Sequence, residues 1–100
     1  NRGSGYLNLG KYERAIEDLD QAIRIEPELA LAYFFRAYAY DGLGEYQRSI
    51  DDLDVAIKLN PQDADFYYNR GITYEQLGQQ EQADRDFAKA KELGYPPQSD

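Results

Sequence analysis

Any catalysis by this chain would have to run on carboxylates. No histidine, cysteine or tryptophan occurs among its 100 residues, which excludes nucleophilic triads, imidazole acid/base chemistry and His/Cys metal sites. The acids Asp18, Asp20, Asp51, Asp52 and Asp54 are crowded enough for paired-carboxylate chemistry or a calcium site. They fall on a helical stretch, however, without the glycine-punctuated loop that an EF-hand requires. A solvated helix face with structural ion pairs is the better reading, so the chain is expected to be no enzyme and to hold no cofactor or metal. The lack of cysteine also removes disulfide and redox chemistry and leaves the compartment open.

Charge points the same way. Nineteen acidic against eleven basic residues give a formal charge of −8, which repels phosphate backbones and anionic head groups and favours basic partners. No nucleic-acid partner is expected. Hydrophobic residues make up 42% of the chain, enough for a packed core, and the length suits a single domain over residues 1–100. No apolar run approaches the roughly 18 residues needed to cross a bilayer, and the opening NRGSGYLNLG lacks a signal-peptide core. The chain reads as soluble with no direct membrane insertion, and its start at Asn1 rather than Met reads as a trimmed edge.

The residues that could do chemistry are positioned by a repeat. Gly10, Gly44 and Gly78 are spaced by 34, as are Tyr6, Tyr40 and Tyr74, Leu9, Leu43 and Leu77, Arg2, Arg36 and Arg70, Asp18, Asp52 and Asp86, and Ala22, Ala56 and Ala90, with Pro27 and Pro61 also in step. Within one period, Tyr33, Ala37 and Tyr40 share a helical face at i, i+4 and i+7. This predicts a first helix, A, from Ala30 to Leu43. The turn LGEY follows, then a second helix, B, carrying Ile50, Leu53, Ala56 and Ile57 and stopped by Asn60 and Pro61. Arg36 and Asp52 recur at matching levels of the two antiparallel helices, as do Arg70 and Asp86, and a guanidinium fork suits a carboxylate. Ion pairs within each repeat are therefore expected, with contacts to the preceding repeat as the alternative.

A 34-residue helix pair with this order of aromatic, small, Tyr, Leu-Gly, Tyr, Ala, large apolar, Ala and Pro resembles the tetratricopeptide repeat. The second repeat carries Tyr33, Ala37, Tyr40, Gly44, Tyr46, Ser49, Leu53, Ala56 and Pro61. The third carries Tyr67, Gly71, Tyr74, Gly78, Gln80, Ala83, Phe87 and Ala90, and the first Gly3, Tyr6, Gly10, Tyr12, Ala15, Leu19, Ala22 and Pro27. The resemblance implies an all-α, right-handed α-solenoid with repeat 1 at 1–29, repeat 2 at 30–63, repeat 3 at 64–97 and a tail at 98–100. Six helices are expected, the first shortened, because a full first repeat would begin five residues ahead of Asn1. Tyr6, Tyr33, Tyr40, Tyr67 and Tyr74 are expected in the core. In the third repeat Asp84 and Lys91 replace Ile50 and Ile57, giving the array a polar end face, and Gly94 with Pro96 and Pro97 argues against a fourth repeat.

The resemblance also implies that helix A lines a concave groove in which a protein or peptide partner binds. A second helix A stripe, Leu31, Phe34, Tyr38 and Asp41 with Phe35 beside it, would lie there, its counterparts being Asp65, Tyr68, Ile72 and Glu75 with Asn69. Such a stripe would bury apolar anchors of the partner, with Asp41, Asp65 and Glu75 favouring Lys or Arg. A subset of the family grips acidic chaperone tails with Lys, Arg and Asn. At the matching points this chain has Ser4, Leu31, Phe35, Asp65 and Asn69, and retains only Asn1 and Asn69 of that set, so an acidic tail is not the expected ligand. The alternative function is self-assembly into a homo-oligomer through exposed repeat ends, around Tyr6, Leu7 and Leu9.

Overall fold

The computed structural model describes the backbone of residues 2–95 and the side chains of residues 10–95. Five helices make up the described residues: α1 (Arg2–Ile25), α2 (Ala30–Gly42), α3 (Tyr46–Leu59), α4 (Ala64–Gln76) and α5 (Gln80–Glu92). Each packs on its neighbour in sequence, α4 also reaches back to α2, and the architecture is an all-α helical-repeat solenoid.

The two complete hairpins turn in the same way. α2 is capped by Leu43, and Gly44 at φ 77° reverses the chain, with the Glu45 N–H donating to the Tyr40 carbonyl at 2.9 Å. α4 repeats this with Leu77, Gly78 at φ 77° and Gln79 donating to Tyr74 at 2.9 Å. Glycine is needed there because a Cβ disfavours positive φ. Pro61 follows the end of α3, and Asp63 caps α4 by accepting from the Asp65 N–H at 3.0 Å.

The first hairpin departs from expectation. Instead of two helices joined at Gly10, Arg2–Ile25 is one helix of 24 residues, and Gly10 is absent from the positive-φ glycines. The described residues therefore hold five helices rather than six. Continuing the helix adds a backbone hydrogen bond per residue at no new nucleation cost.

The core lies between helices of a repeat and between successive repeats. Leu53, Ala56, Phe66 and Ala83 are fully buried, with Ala37, Ala39 and Ala90 nearly so. Packing volumes are matched within each hairpin. Ala37 of α2 faces the level of Leu53, whereas at the same position of α4 Gly71 faces Phe87, and a Cβ on Gly71 would meet the Phe87 ring at 2.7 Å. The tyrosines are less enclosed than the repeat pattern implies. Tyr67 is buried and donates its hydroxyl to the Pro61 carbonyl at 3.1 Å, but Tyr33, Tyr40 and Tyr74 are only half-buried. Their rings lie under guanidinium groups, Arg36 at 5.5 Å from Tyr33, Arg48 at 5.8 Å from Tyr40 and Arg70 at 5.9 Å from Tyr74, which lets the polar tip stay wet. Tyr6 lies outside the described side chains.

Candidate interaction face

Two arginines fix the relation of one repeat to the next. Arg36 Nε and Nη2 donate to Asp52 Oδ2 and Oδ1 at 2.8 and 2.7 Å, as the repeat spacing predicts. Arg36 Nη1 also donates to Asp20 Oδ1 of the preceding repeat at 2.8 Å. Arg70 repeats the arrangement with Asp86 at 2.8 and 2.9 Å and Asp54 at 2.9 Å. Sequence reasoning offered the second contact only as an alternative, yet the signal was present, since Asp20 and Asp54 are themselves 34 apart. Hydrogen bonds to Asp52 and Asp86 hold both guanidinium pKa values above their usual range against the opposing effect of burial. Arg2, the third member of the series, has no described side chain.

With both arginines engaged, the other face of helices α2 and α4 can be read residue by residue. Leu31, Phe35 and Tyr38 of α2 are exposed at 52, 51 and 60%. Phe34 is half-buried, with its ring 5.1 Å from the fully buried Phe66 of α4 and 5.5 Å from Phe35. On α4, Asp65 and Glu75 are exposed, and Tyr68, Asn69 and Ile72 are half-buried. Asn69 Nδ2 donates to the Asp65 carbonyl at 2.9 Å.

Asp41 is turned into the joint between repeats. The buried Thr73 Oγ1 lies 3.0 Å from both Asp41 carboxylate oxygens and 3.0 Å from the Asn69 carbonyl. Burial raises the Asp41 pKa, opposed by the hydroxyls of Ser49 and Thr73. Ser49 Oγ is buried without a hydrogen-bond partner among the described residues, so its influence on Asp41 is that of a nearby dipole.

Tyr68 belongs to a second aromatic group that the sequence reading did not assemble. Its ring stacks on Tyr95 at 4.1 Å and 24° and lies 5.5 Å from Phe87. Together with Lys91 these rings line a cavity of about 440 Å³. Tyr95 stands 34 residues after Pro61, so the period could have singled it out as an aromatic in place of a proline. It covers Tyr68 much as Phe66 of the following repeat covers Phe34. Asp84 and Lys91 are both exposed. Pro96 and Pro97 lie outside the described residues. Among the described residues no group of three or more Asp or Glu side chains is placed to hold a metal ion, and no helix is long and apolar enough to cross a membrane.

The sequence matches the family described as TPR repeat over residues 3–44 and 42–78, and the family described as tetratricopeptide repeat over residues 64–93. It matches no curated protein. Among solved structures, the fold is similar to the second TPR of Spaghetti (RPAP3) bound to the HSP90 peptide SRMEEVD, at 34% identity and a TM-score of 0.81 over 92% of this chain and 85% of that one. It is also similar to MamA of MSR-1, at 30% identity and a TM-score of 0.79 over 89% of this chain and 52% of that one. MamA (41-end) of Desulfovibrio magneticus RS-1 is 25% identical, with a TM-score of 0.82 over 93% and 52% of the two chains. The chain thus spans about half the length of the MamA structures it matches.

Proposed function

We propose, since the chain belongs to the tetratricopeptide repeat family, that it is a non-catalytic scaffold that binds a partner peptide segment across the α2–α4 face. The observation that carries this reading is the row of Leu31, Phe35 and Tyr38, each more than half exposed on one helix of a small acidic domain. Contiguous apolar side chains of this size on a soluble surface mark an interaction site, and covering one contributes roughly 1.5–3 kcal/mol before ordering costs.

The chemistry of the face specifies the partner. Leu31, Phe34, Phe35, Tyr38, Asp41, Asp65, Tyr68, Asn69, Ile72 and Glu75 include three acids and no cation, and Arg36 and Arg70 are held by four aspartates. A segment with two or three apolar anchors and a Lys or Arg suits it, the base facing Asp65 or Glu75. Asp41 contributes through its charge rather than by direct contact, because Thr73 occupies it. The similar RPAP3 domain is bound to SRMEEVD, an acidic sequence. Peptide binding by a domain of similar fold supports a peptide as the class of ligand, while the cation-free lining argues for a ligand of opposite charge.

The test is selection from a random peptide library followed by titration, with SRMEEVD as the comparison peptide. The expected result is enrichment of aromatic or aliphatic residues with Lys or Arg, at least tenfold weaker binding to Tyr38→Ala, as an order-of-magnitude expectation for a lost anchor, and no measurable binding of SRMEEVD. Selected peptides that bind Phe35→Ala and Tyr38→Ala as tightly as the parent would place the site elsewhere.

A further inference from the structure

One hydroxyl serves two acceptors at the joint between the second and third repeats. Thr73 Oγ1 is fully buried and lies 3.0 Å from Asp41 Oδ1, from Asp41 Oδ2 and from the Asn69 carbonyl. A hydroxyl has one hydrogen to give and lone pairs with which to accept, so the charge on Asp41 decides where that hydrogen goes. An ionised Asp41 only accepts, and Thr73 donates to it, because a charged acceptor holds a hydrogen bond about twice as strong as a neutral one. A protonated Asp41 carries an O–H of its own and donates to Thr73, which then donates back to the Asn69 carbonyl one turn earlier. The chain of bonds reverses direction with every heavy atom already at hydrogen-bond distance.

The surroundings leave this choice to Asp41 itself. α3 contributes the Ser49 hydroxyl, α4 the Thr73 hydroxyl and α1 the ring of Tyr12, which packs on neighbouring Gly42. Glu45 at the head of α3 is taken up by Arg48 at 3.2 Å, and the α4 acids Asp65 and Glu75 are exposed. No ion pair among the described residues includes Asp41, so no cation holds it in the ionised form. Burial then raises its pKa, and the reversal falls at a higher pH than the titration of an ordinary carboxylate.

We propose that the chain Asp41–Thr73–Asn69 is a proton-operated control on partner binding, which favours a basic segment while Asp41 is ionised and weakens its hold when Asp41 takes up a proton. The inference rests on the reading of the α2–α4 face as a site for an apolar and basic segment. Protonation acts on that face in two ways. It removes one of the three negative charges, those of Asp41, Asp65 and Glu75, that attract the partner's Lys or Arg. It also makes Thr73 a back-bonding residue of α4, an arrangement that bends helices, in the turn that carries Asn69 and Ile72. By linkage, a bound cation favours the ionised form, so partner binding expels a proton from Asp41.

Two measurements test it, the first without any peptide. Carbon NMR of the free chain follows the Asp41 carboxyl and the Asn69 carbonyl from neutral to acid pH. In the parent the two are expected to titrate with one midpoint. The Asn69 carbonyl should cease to respond in Thr73→Val and respond again in Thr73→Ser. An Asn69 carbonyl that ignores Asp41 in the parent, or follows it equally in Thr73→Val, would overturn the proposal. The second measurement titrates a lysine-containing peptide from the library selection, and the same peptide with Gln for Lys, at pH values either side of that midpoint. The lysine peptide should bind about two- to fivefold more weakly on the acid side, the effect of one partly screened charge contact, and the Gln peptide should lose less. Asp41→Asn should bind the lysine peptide at the weaker level on both sides. Equal affinity on the two sides in the parent, or a fall that persists in Asp41→Asn, would overturn the control while leaving the binding face intact. A selection that yields no peptide would instead remove the face, and this control with it.

Discussion

Arg70 grips Asp86 with two parallel hydrogen bonds of 2.8 and 2.9 Å while the same guanidinium reaches back to Asp54 at 2.9 Å. The two partners differ in environment, and their energetic weights should differ with it. The Asp86 side chain is 7% exposed and Asp54 is 53% exposed. Removing the cation with Arg70→Met strands a buried carboxylate and should cost about 3 kcal/mol. Asp54→Asn, at an exposed pair screened by solvent, should cost less than about 1 kcal/mol. Urea denaturation of the two variants checks the ordering, and comparable losses would mean that the contact to the preceding repeat carries the weight.

Packing of Phe87 on Gly71 gives a second expectation. An added Cβ would stand 2.7 Å from the ring and 3.2 Å from the Ala83 carbonyl, so Gly71→Ala forces Phe87 to move and should cost about 1–3 kcal/mol. The corresponding pair in the second repeat is Ala37 with Leu53. Combining Gly71→Ala with Phe87→Leu should therefore cost less than the sum of the single changes, and thermal denaturation of the double-mutant cycle measures the coupling.

Asp41 predicts a pH dependence. Its pKa is raised in the folded chain, chiefly by burial, so the folded state holds the proton more tightly than the unfolded state. The contribution of protonated Asp41 is then fully present below the ordinary carboxylate pKa and is lost as pH rises through the raised folded value. Asp41→Asn retains an acceptor for Thr73 and abolishes that loss. The variant should be more stable than the parent near neutral pH, with the difference shrinking on acidification. Denaturant midpoints measured from acid to neutral pH would show this, and a difference that grows on acidification would contradict it.

Most of the architecture was legible because a 34-residue period constrains many positions at once. The turns at Gly44 and Gly78, the stop at Pro61 and the Arg36–Asp52 pair all follow from it. What escaped was information that the period does not encode. Leu9-Gly10 is spelled like the other turns, yet Gly10 continues the helix, because a glycine permits a reversal without imposing one. The burial of Asp41 depends on Thr73, a residue with no equivalent hydroxyl at Ala39. Tyr95 reads as tail until its stacking on Tyr68 shows it to be part of the end face.

One substitution made at two equivalent positions separates these cases. Gly44 and Gly10 occupy the same place in the repeat, but Gly44 has φ 77° while Gly10 lies inside a helix. Alanine at Gly44 must adopt a left-handed conformation, so Gly44→Ala should destabilise by about 1–2 kcal/mol. Alanine at Gly10 gains helix propensity, and Gly10→Ala should stabilise by about 0.5–1 kcal/mol. For a domain of this size these changes correspond to shifts in Tm of several degrees, roughly 4–8 °C per kcal/mol, in opposite directions. The surroundings do not confuse the comparison, since among the described residues no atom outside each glycine's own stretch of backbone lies within 4 Å of an added Cβ. Calorimetry provides the measurement. If both substitutions lower Tm alike, Gly10 turns as its siblings do and α1 is two helices. If they move Tm apart, the identical turn spelling is overridden in the first repeat by the balance between helix continuation and packing.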